Sequence, residues 1–131
     1  MSDYYSTQYS NTAFDAVALT STFAGNKREI ETAGMSKIAF GVSYAMGAAE
    51  TANKIEIQLE QSPDGTNWFP LSIDSTSSTS VLTNRVWEFT GTGSFDSIVS
   101  IGYRKMRMSL RESGVSTNAG TATVIYTVSG Q

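Results

Sequence analysis

The side chains that could do chemistry in this 131-residue chain are its carboxylates, amines, guanidiniums and hydroxyls, because the sequence contains neither cysteine nor histidine. Histidine is the commonest general base and the commonest transition-metal ligand of proteins. Its absence excludes a Ser-His-Asp triad and a histidine-bound zinc or copper site. The absence of cysteine excludes a thiol nucleophile, a disulfide and a thiolate metal site. We therefore expect no catalytic residue and no metal site.

Glu56 and Glu60 are the best-spaced pair of carboxylates. They fall on one face of a predicted strand, four residues and roughly 13 Å apart, which exceeds the roughly 5–9.5 Å that glycoside hydrolysis uses. Their face alternates with apolar residues and is expected to be solvated, so burial would not raise a pKa there. We interpret both side chains as part of a solubilising face, and we do not expect an enzyme.

Ligand-binding motifs are weak. Asp64 and Asp74 do not stand in the spaced acidic loop of a calcium site. The Gly91-Thr92-Gly93 segment lacks the rest of a nucleotide-binding fingerprint. We therefore expect no cofactor.

Positive charge concentrates in the run Arg104–Arg111. A strand there would place Lys105, Arg107 and Arg111 on one side. Nucleic-acid binding would favour aromatic residues interleaved on that side, but only Tyr103 is near, and the net charge of −3 opposes it. Two interpretations remain: this basic face pairs with the glutamates of a neighbouring strand, or it pairs with another subunit. The three basic residues are accordingly candidates for a partner interface.

Trp68, Phe69 and Trp87 allow two interpretations as well. Exposed aromatic rings on a β-sandwich would form a platform for sugar rings. Core packing and hairpin closure account for the same residues with fewer assumptions, and we favour packing.

The elements that must position these residues are strands. Serine and threonine number 35 and charged residues are 16% of the chain, a composition typical of antiparallel β-proteins. Period-two alternation predicts an all-β fold, a single antiparallel, jelly-roll-like β-sandwich of seven or eight strands. The predicted strands are Phe14–Leu19, Ile38–Tyr44, Ile55–Glu60, Trp68–Ile73, Val86–Phe89, Lys105–Arg111 and Thr121–Val128. A helical turn is permitted only at Phe95–Ile101.

The chain divides into an N-terminal arm, residues 1–12, and a sandwich domain, residues 13–131. The arm carries Tyr4, Tyr5 and Tyr9, which would dock on a neighbouring subunit or belong to a disordered tail. Ser62-Pro63-Asp64-Gly65 predicts a turn with Gly65 at positive φ, and residues 74–80 predict a surface loop. No stretch has the length of a membrane span, and no signal peptide is evident.

The segment from Ile55 through Ser62-Pro63-Asp64-Gly65-Thr66-Asn67-Trp68 resembles small β-sandwich proteins of tailed-phage virions, in which a strand runs into S-x-D-G-x-x-W and a second strand. Tyr103–Arg111, Asn118-Ala119-Gly120 and a last strand to Val128 fit the same pattern. The resemblance implies a capsid decoration (cement) protein or another structural virion protein. Similar hairpins also resemble parts of discoidin-type jelly rolls, which bind glycans or cell surfaces.

Two functions of different class follow. The first is a virion protein, made in the host cytoplasm, that binds the major capsid protein or other virion subunits, stabilises the shell and forms a homo-oligomer. The alternative is a carbohydrate- or cell-surface-binding module of a phage fibre or similar assembly. The first is favoured because neither a signal peptide nor a fused enzyme is seen. Neither function involves nucleic acid or a membrane.

Overall fold

A computed structural model describes residues 7–70 and 86–130. In these ranges the chain forms nine strands and one 3₁₀ helix, Phe23–Gly25. The strands are β1 (Thr7–Ala18), β2 (Asn26–Glu31), β3 (Lys37–Ala45), β4 (Lys54–Ser62), β5 (Phe69–Pro70), β6 (Val86–Thr90), β7 (Gly93–Ser100), β8 (Lys105–Ser113) and β9 (Thr121–Gly130).

The strands form two antiparallel sheets. The first sheet has the order β1-β9-β3-β7, and the second has the order β2-β8-β4, with β5 and β6 in line along the free side of β4. The chain passes back and forth between the two sheets, so that neighbours within a sheet are mostly distant in sequence. This is the strand order of a jelly roll. The predicted fold class, a jelly-roll-like antiparallel β-sandwich, is confirmed.

The core lies between the sheets and follows the period-two pattern. Ile55, Ile57 and Leu59 of β4 are fully buried, and β8 presents the equally buried Met106, Met108 and Leu110 beside them. The first sheet contributes Phe40 and Val42 of β3 and Val124 and Val128 of β9. Alternation of large apolar and polar side chains along each strand is therefore what specifies which side of each sheet is buried.

Trp87 packs in this core. Its ring meets Phe40 edge to face, with ring centroids 5.6 Å apart. The packing interpretation therefore holds for Trp87, while Trp68 and Phe69 lie outside the core.

One prediction is wrong: the segment Phe95–Ile101, where a helical turn was permitted, lies in strand β7 except for Ile101, which follows it. Phe95, Ile98, Val99 and Ile101 stand at spacings of three and four, which mimic a helix face. In the structure Phe95 and Val99 turn toward the core while Ile98 turns to solvent. An exposed isoleucine produced the misleading period.

The chain before residue 13 also differs from the predicted arm. Residues 7–12 form the first half of β1 and pair with β9, so the predicted boundary falls inside a strand. Their polar residues gave no apolar alternation, because this edge strand buries little side chain there. Tyr4 and Tyr5 lie outside the described residues, as do residues 71–73 of a predicted strand and the predicted loop at 74–80.

Strand β2 was not predicted. Five of its six residues are polar, and only Ile30 is buried, so the segment offers no apolar period to detect. By contrast, the predicted turn at Ser62–Gly65 is present, and Gly65 has φ +78°.

Candidate interaction surfaces

The outward side of the second sheet carries paired charges, and we call the outward side chains of β4, β6 and β8 the charged face. Glu60 lies opposite Arg107, and Glu56 lies opposite Arg111. Arg107 Nη2 is 2.8 Å from Glu60 Oε1, and Arg111 Nε is 2.6 Å from Glu56 Oε1. The interpretation that the basic strand face pairs with the glutamate face is therefore confirmed within one chain.

Aromatic rings cover both guanidinium groups. The Trp68 ring lies 4.3 Å from the guanidinium carbon of Arg107, and the Phe23 ring lies 4.2 Å from that of Arg111. Each guanidinium is thus held by a carboxylate and by the face of a ring, which attracts a cation through its quadrupole. Both guanidinium groups therefore already have a carboxylate partner and a ring partner within the subunit.

The turn that carries Trp68 is stabilised by Asp64. Its Oδ1 accepts hydrogen bonds from the backbone N–H groups of Thr66 and Asn67, both at 2.8 Å, and Oδ2 accepts one from the Asn67 side chain at 2.7 Å. These donors favour the ionised form, so the pKa of Asp64 lies far below its usual range. Asp64 therefore positions Trp68 above Arg107, and the side chain of Lys105 lies beside Gly65 in the same turn.

A buried polar cluster joins the loops at one end of the sandwich. Glu112 is only 2% exposed, and its carboxylate accepts hydrogen bonds from the Tyr44 hydroxyl, from Gly120 N at 2.7 Å and from Asn53 Nδ2 at 3.4 Å. Burial, and then the bond to Glu112, raises the pKa of Tyr44 above its ordinary value. The cluster holds four chain segments together, those of Tyr44, Asn53, Glu112 and Gly120. Glu112 continues the inward alternation of Met106, Met108 and Leu110, a signal that could have identified it from the sequence.

Glu50 plays a similar part at the surface. Its carboxylate accepts hydrogen bonds from the backbone N–H groups of Ser116, Thr117 and Asn118, at 2.7 to 3.2 Å. Those bonds, led by the one from Ser116, lower the pKa of Glu50 to about 2. This carboxylate orders the loop between β8 and β9.

The outward side of the first sheet is different: β3 and β7 place only Lys37 and Asp96 as charged residues there, and we call this side the neutral face. Small residues of β3 run along its centre, flanked by Ile125 of β9 and Ile98 of β7, which are 54% and 71% exposed. Nothing lies within 4 Å of the position that a Cβ on Gly41 would occupy. The result is an open depression of about 400 Å³. Its lining comprises Gly41, Val42, Ser43, Ser94, Phe95, Asp96, Thr123 and Ile125.

The structure does not bring the predicted interface residues to one surface. Tyr9 is 56% exposed on β1, in the first sheet, opposite Val128. Lys105, Arg107 and Arg111 lie on the charged face of the other sheet. Sequence reasoning missed the neutral face, whose only signal is that Ile98 and Ile125 occupy outward positions in otherwise small, hydroxyl-rich strands.

Phe69 and Tyr103 form a separate exposed pair. They are 47% and 43% exposed, and their ring centroids lie 6.2 Å apart with the planes tilted by 33°. Two exposed rings side by side are an arrangement on which an apolar sugar face can stack.

Within residues 7–70 and 86–130, no three or more carboxylates are grouped to hold a metal ion, and no helix is long and apolar enough to cross a membrane. No protein-family model matches the chain, and comparison with curated proteins gives no significant match. One similar solved structure is described as "Bacillus endospore appendages form a novel family of disulfide-linked pili". The alignment covers 99% of this chain and 94% of that chain, at 9% identity and a TM-score of 0.45, a similarity too low to establish a shared fold or function.

Proposed function

We propose that the chain is a non-enzymatic structural subunit that stabilises a larger assembly through its neutral face. The observation that carries the proposal is the exposure of Ile125, which lines the open depression over Gly41, and of Ile98, two residues along β7 from Asp96 of the same lining. A surface whose depression is lined by a single charged side chain, Asp96, loses less hydration energy on contact than a densely charged one, and burying its apolar groups stabilises the complex. The charged face lacks this property, because its arginines are already bound.

The proposed assembly is the capsid shell of a tailed phage, with the major capsid protein or another virion subunit as the partner. Support comes from the resemblance of the Ile55–Trp68 hairpin to virion proteins. The subunit would be made in the host cytoplasm and would act in the virion as a decoration protein. Its contribution would be buried interface area, which raises the stability of whatever it binds by mass action.

The test is binding to capsid shells prepared without this protein from the virus that encodes it. We expect the wild-type chain to sediment with the shells and to raise their melting temperature. Ile125→Lys should lose sedimentation, because the new charge would be buried at the contact. Val115→Lys is the matched control, since it makes the same change of charge at an exposed β-branched residue in the loop between β8 and β9, outside the first sheet. Loss with the control only, or no binding by the wild type, would overturn the proposal.

Glycan binding is the second candidate function, and the exposed pair of Phe69 and Tyr103 favours it. Under this proposal sugar rings stack on the two side chains, as they do on aromatic platforms of other β-sandwich modules. Tyr103→Ala should then abolish binding on a glycan array without lowering the melting temperature. Ile125→Lys should leave glycan binding unchanged, which separates this function from the first.

A further inference from the structure

The two sheets that residues 7–70 and 86–130 form have four edges, and three of them are protected against pairing with another strand. Edge strand β2 carries Lys27, Arg28, Glu29 and Glu31 among its six residues. Edge strand β1 is interrupted by register shifts between Thr12 and Val17. The fourth strand position of the second sheet is divided between the short β5 and β6. Charge, bulges and short strands are the usual means of blunting a sheet edge.

Strand β7 has none of these protections. It runs for eight residues without proline, pairs with β3 without a register shift, and carries a single charged side chain, Asp96. Among the described residues no strand pairs with its other side. A long, nearly uncharged edge of this kind is a template for another strand.

The register shows which backbone groups are free. Ile101 N donates to Ser36 O at 2.8 Å, and these two residues continue the alignment in which Lys37 lies opposite Ser100. Hydrogen-bonded pairs alternate along an antiparallel ladder, so Phe95, Ser97 and Val99 direct their amides toward β3. The amides and carbonyls of the alternate residues therefore point away from β3, in the plane of the sheet and toward its open edge. These groups belong to Ser94, Asp96, Ile98 and Ser100.

We infer that β7 pairs antiparallel with β7 of a second copy of this chain, across a two-fold axis at Ile98. This alignment places Ile98 opposite its counterpart and Asp96 opposite Ser100. It forms about six backbone hydrogen bonds, brings the exposed isoleucines together and keeps the two carboxylates apart. The two first sheets then become one eight-stranded sheet, and the two neutral faces become one continuous surface.

This contact goes beyond the proposed function, because it needs two copies of the chain and no capsid shell. Dimer formation would double the neutral face available to a partner. A monomeric protein that still binds shells would disprove the dimer alone, and a dimer that binds no shell would disprove the proposed function alone.

The first experiment is sedimentation velocity of the full chain over a range of concentrations. We expect a dimer for the wild type and a monomer for Ile98→Pro, which removes an outward amide and no bond to β3. Gln8→Pro is the matched control, at the opposite edge of the same sheet. By the same alternation, the amide of Gln8 points away from β9, so the Gln8→Pro protein should remain a dimer. A monomeric wild type, or dissociation by Gln8→Pro alone, would overturn the inference.

The second experiment does not depend on how proline is tolerated. Ile98→Cys introduces the single thiol of a chain that has no cysteine. Directly opposed residues of a hydrogen-bonded pair have Cα atoms about 5.5 Å apart, within the range that a disulfide spans. Mild oxidation should therefore convert Ile98→Cys to a covalent dimer, whereas Gln8→Cys should stay monomeric. Equal cross-linking of both variants, or of neither, would contradict pairing through β7.

Discussion

The charged face and the neutral face are the outer sides of two sheets in one sandwich, yet they use polar residues in opposite ways. On the charged face, Glu56 is 5% exposed and its carboxylate is bound by Arg111. On the neutral face, Ile98 and Ile125 are more than half exposed, and Asp96 is the charged side chain that lines the depression. The polar side chains of the charged face are bound to one another, whereas the neutral face exposes apolar side chains to water.

The difference shows where binding energy is available. Displacing water from a bound carboxylate–guanidinium pair costs free energy. A partner offsets this cost only if it forms hydrogen bonds of equally good geometry with the two charged groups. Displacing water from isoleucine is favourable by roughly 25 cal/mol per Å² of apolar area buried. A partner therefore gains more from the neutral face, and mutations should divide accordingly: on the charged face they change stability, and on the neutral face they change assembly.

The largest expected effect is that of Glu56→Ala. It leaves Arg111 without its carboxylate, and we expect the free energy of unfolding to fall by about 2 kcal/mol, below the 3–5 of a fully buried pair because Arg111 is partly exposed. Urea denaturation measures this loss. Glu31→Ala is the control, since Glu31 is an exposed glutamate at the end of β2, away from Glu56, and should cost less than about 0.5 kcal/mol. Equal losses would show that the charged face does not hold its charges tightly.

A somewhat smaller loss is expected for Gly65→Val, in the turn that carries Trp68 above Arg107. The residue has φ +78°, where a β-branched side chain costs about 1–2 kcal/mol. Thermal melts of the two variants measure this loss. Asparagine tolerates this region, so Gly65→Asn should melt close to the wild type. If valine were also neutral, the turn would have to form in another conformation.

Acid should weaken the loop between β8 and β9 that Glu50 orders, with a smaller effect. Folding lowers the pKa of Glu50 from 4.5 to about 2, so its contribution to stability is complete above pH 4.5 and is lost as the pH falls through about 2. Melting temperatures measured between pH 6 and pH 2 should decline in this range. Glu50→Gln should give a shallower decline, because the titrating group is gone. An identical slope would mean that other carboxylates dominate.

The strands and charge pairs could be predicted from the sequence where apolar and polar residues alternate strongly. The core of β4 and β8 was predictable because Ile55, Ile57 and Leu59 alternate with charged residues, and the charge pairs followed from the same pattern. The turn at Gly65 was predictable from local chemistry. Strands β2 and β7 were not, because one is almost wholly polar and the other exposes Ile98 outside the core period.

The candidate surface was harder to predict than the fold. A neutral face has no motif, since Ser, Thr and Gly are ordinary residues for an outward strand position. Only the three-dimensional neighbours of Gly41 and Ile125 reveal a depression flanked by exposed apolar side chains. The basic residues show the same limit: Arg107 and Arg111 are candidate partner residues by sequence, both are bound within the chain in the structure, and their contact with a partner stays a prediction.

The smallest expected effect on stability, and the sharpest test of the difference between the faces, is that of Gly41→Val. A Cβ at Gly41 meets nothing within 4 Å, and valine favours strands, so the melting temperature should stay the same or rise slightly. The new side chain would nevertheless fill the depression and should weaken shell binding. Gly102→Ala is the control, because its added Cβ lies 3.8 Å from Gln61 Oε1, away from the neutral face. A variant that melts like the wild type and binds shells equally well would show that the depression over Gly41 is not the contact, and the neutral face would lose its distinction from the charged one.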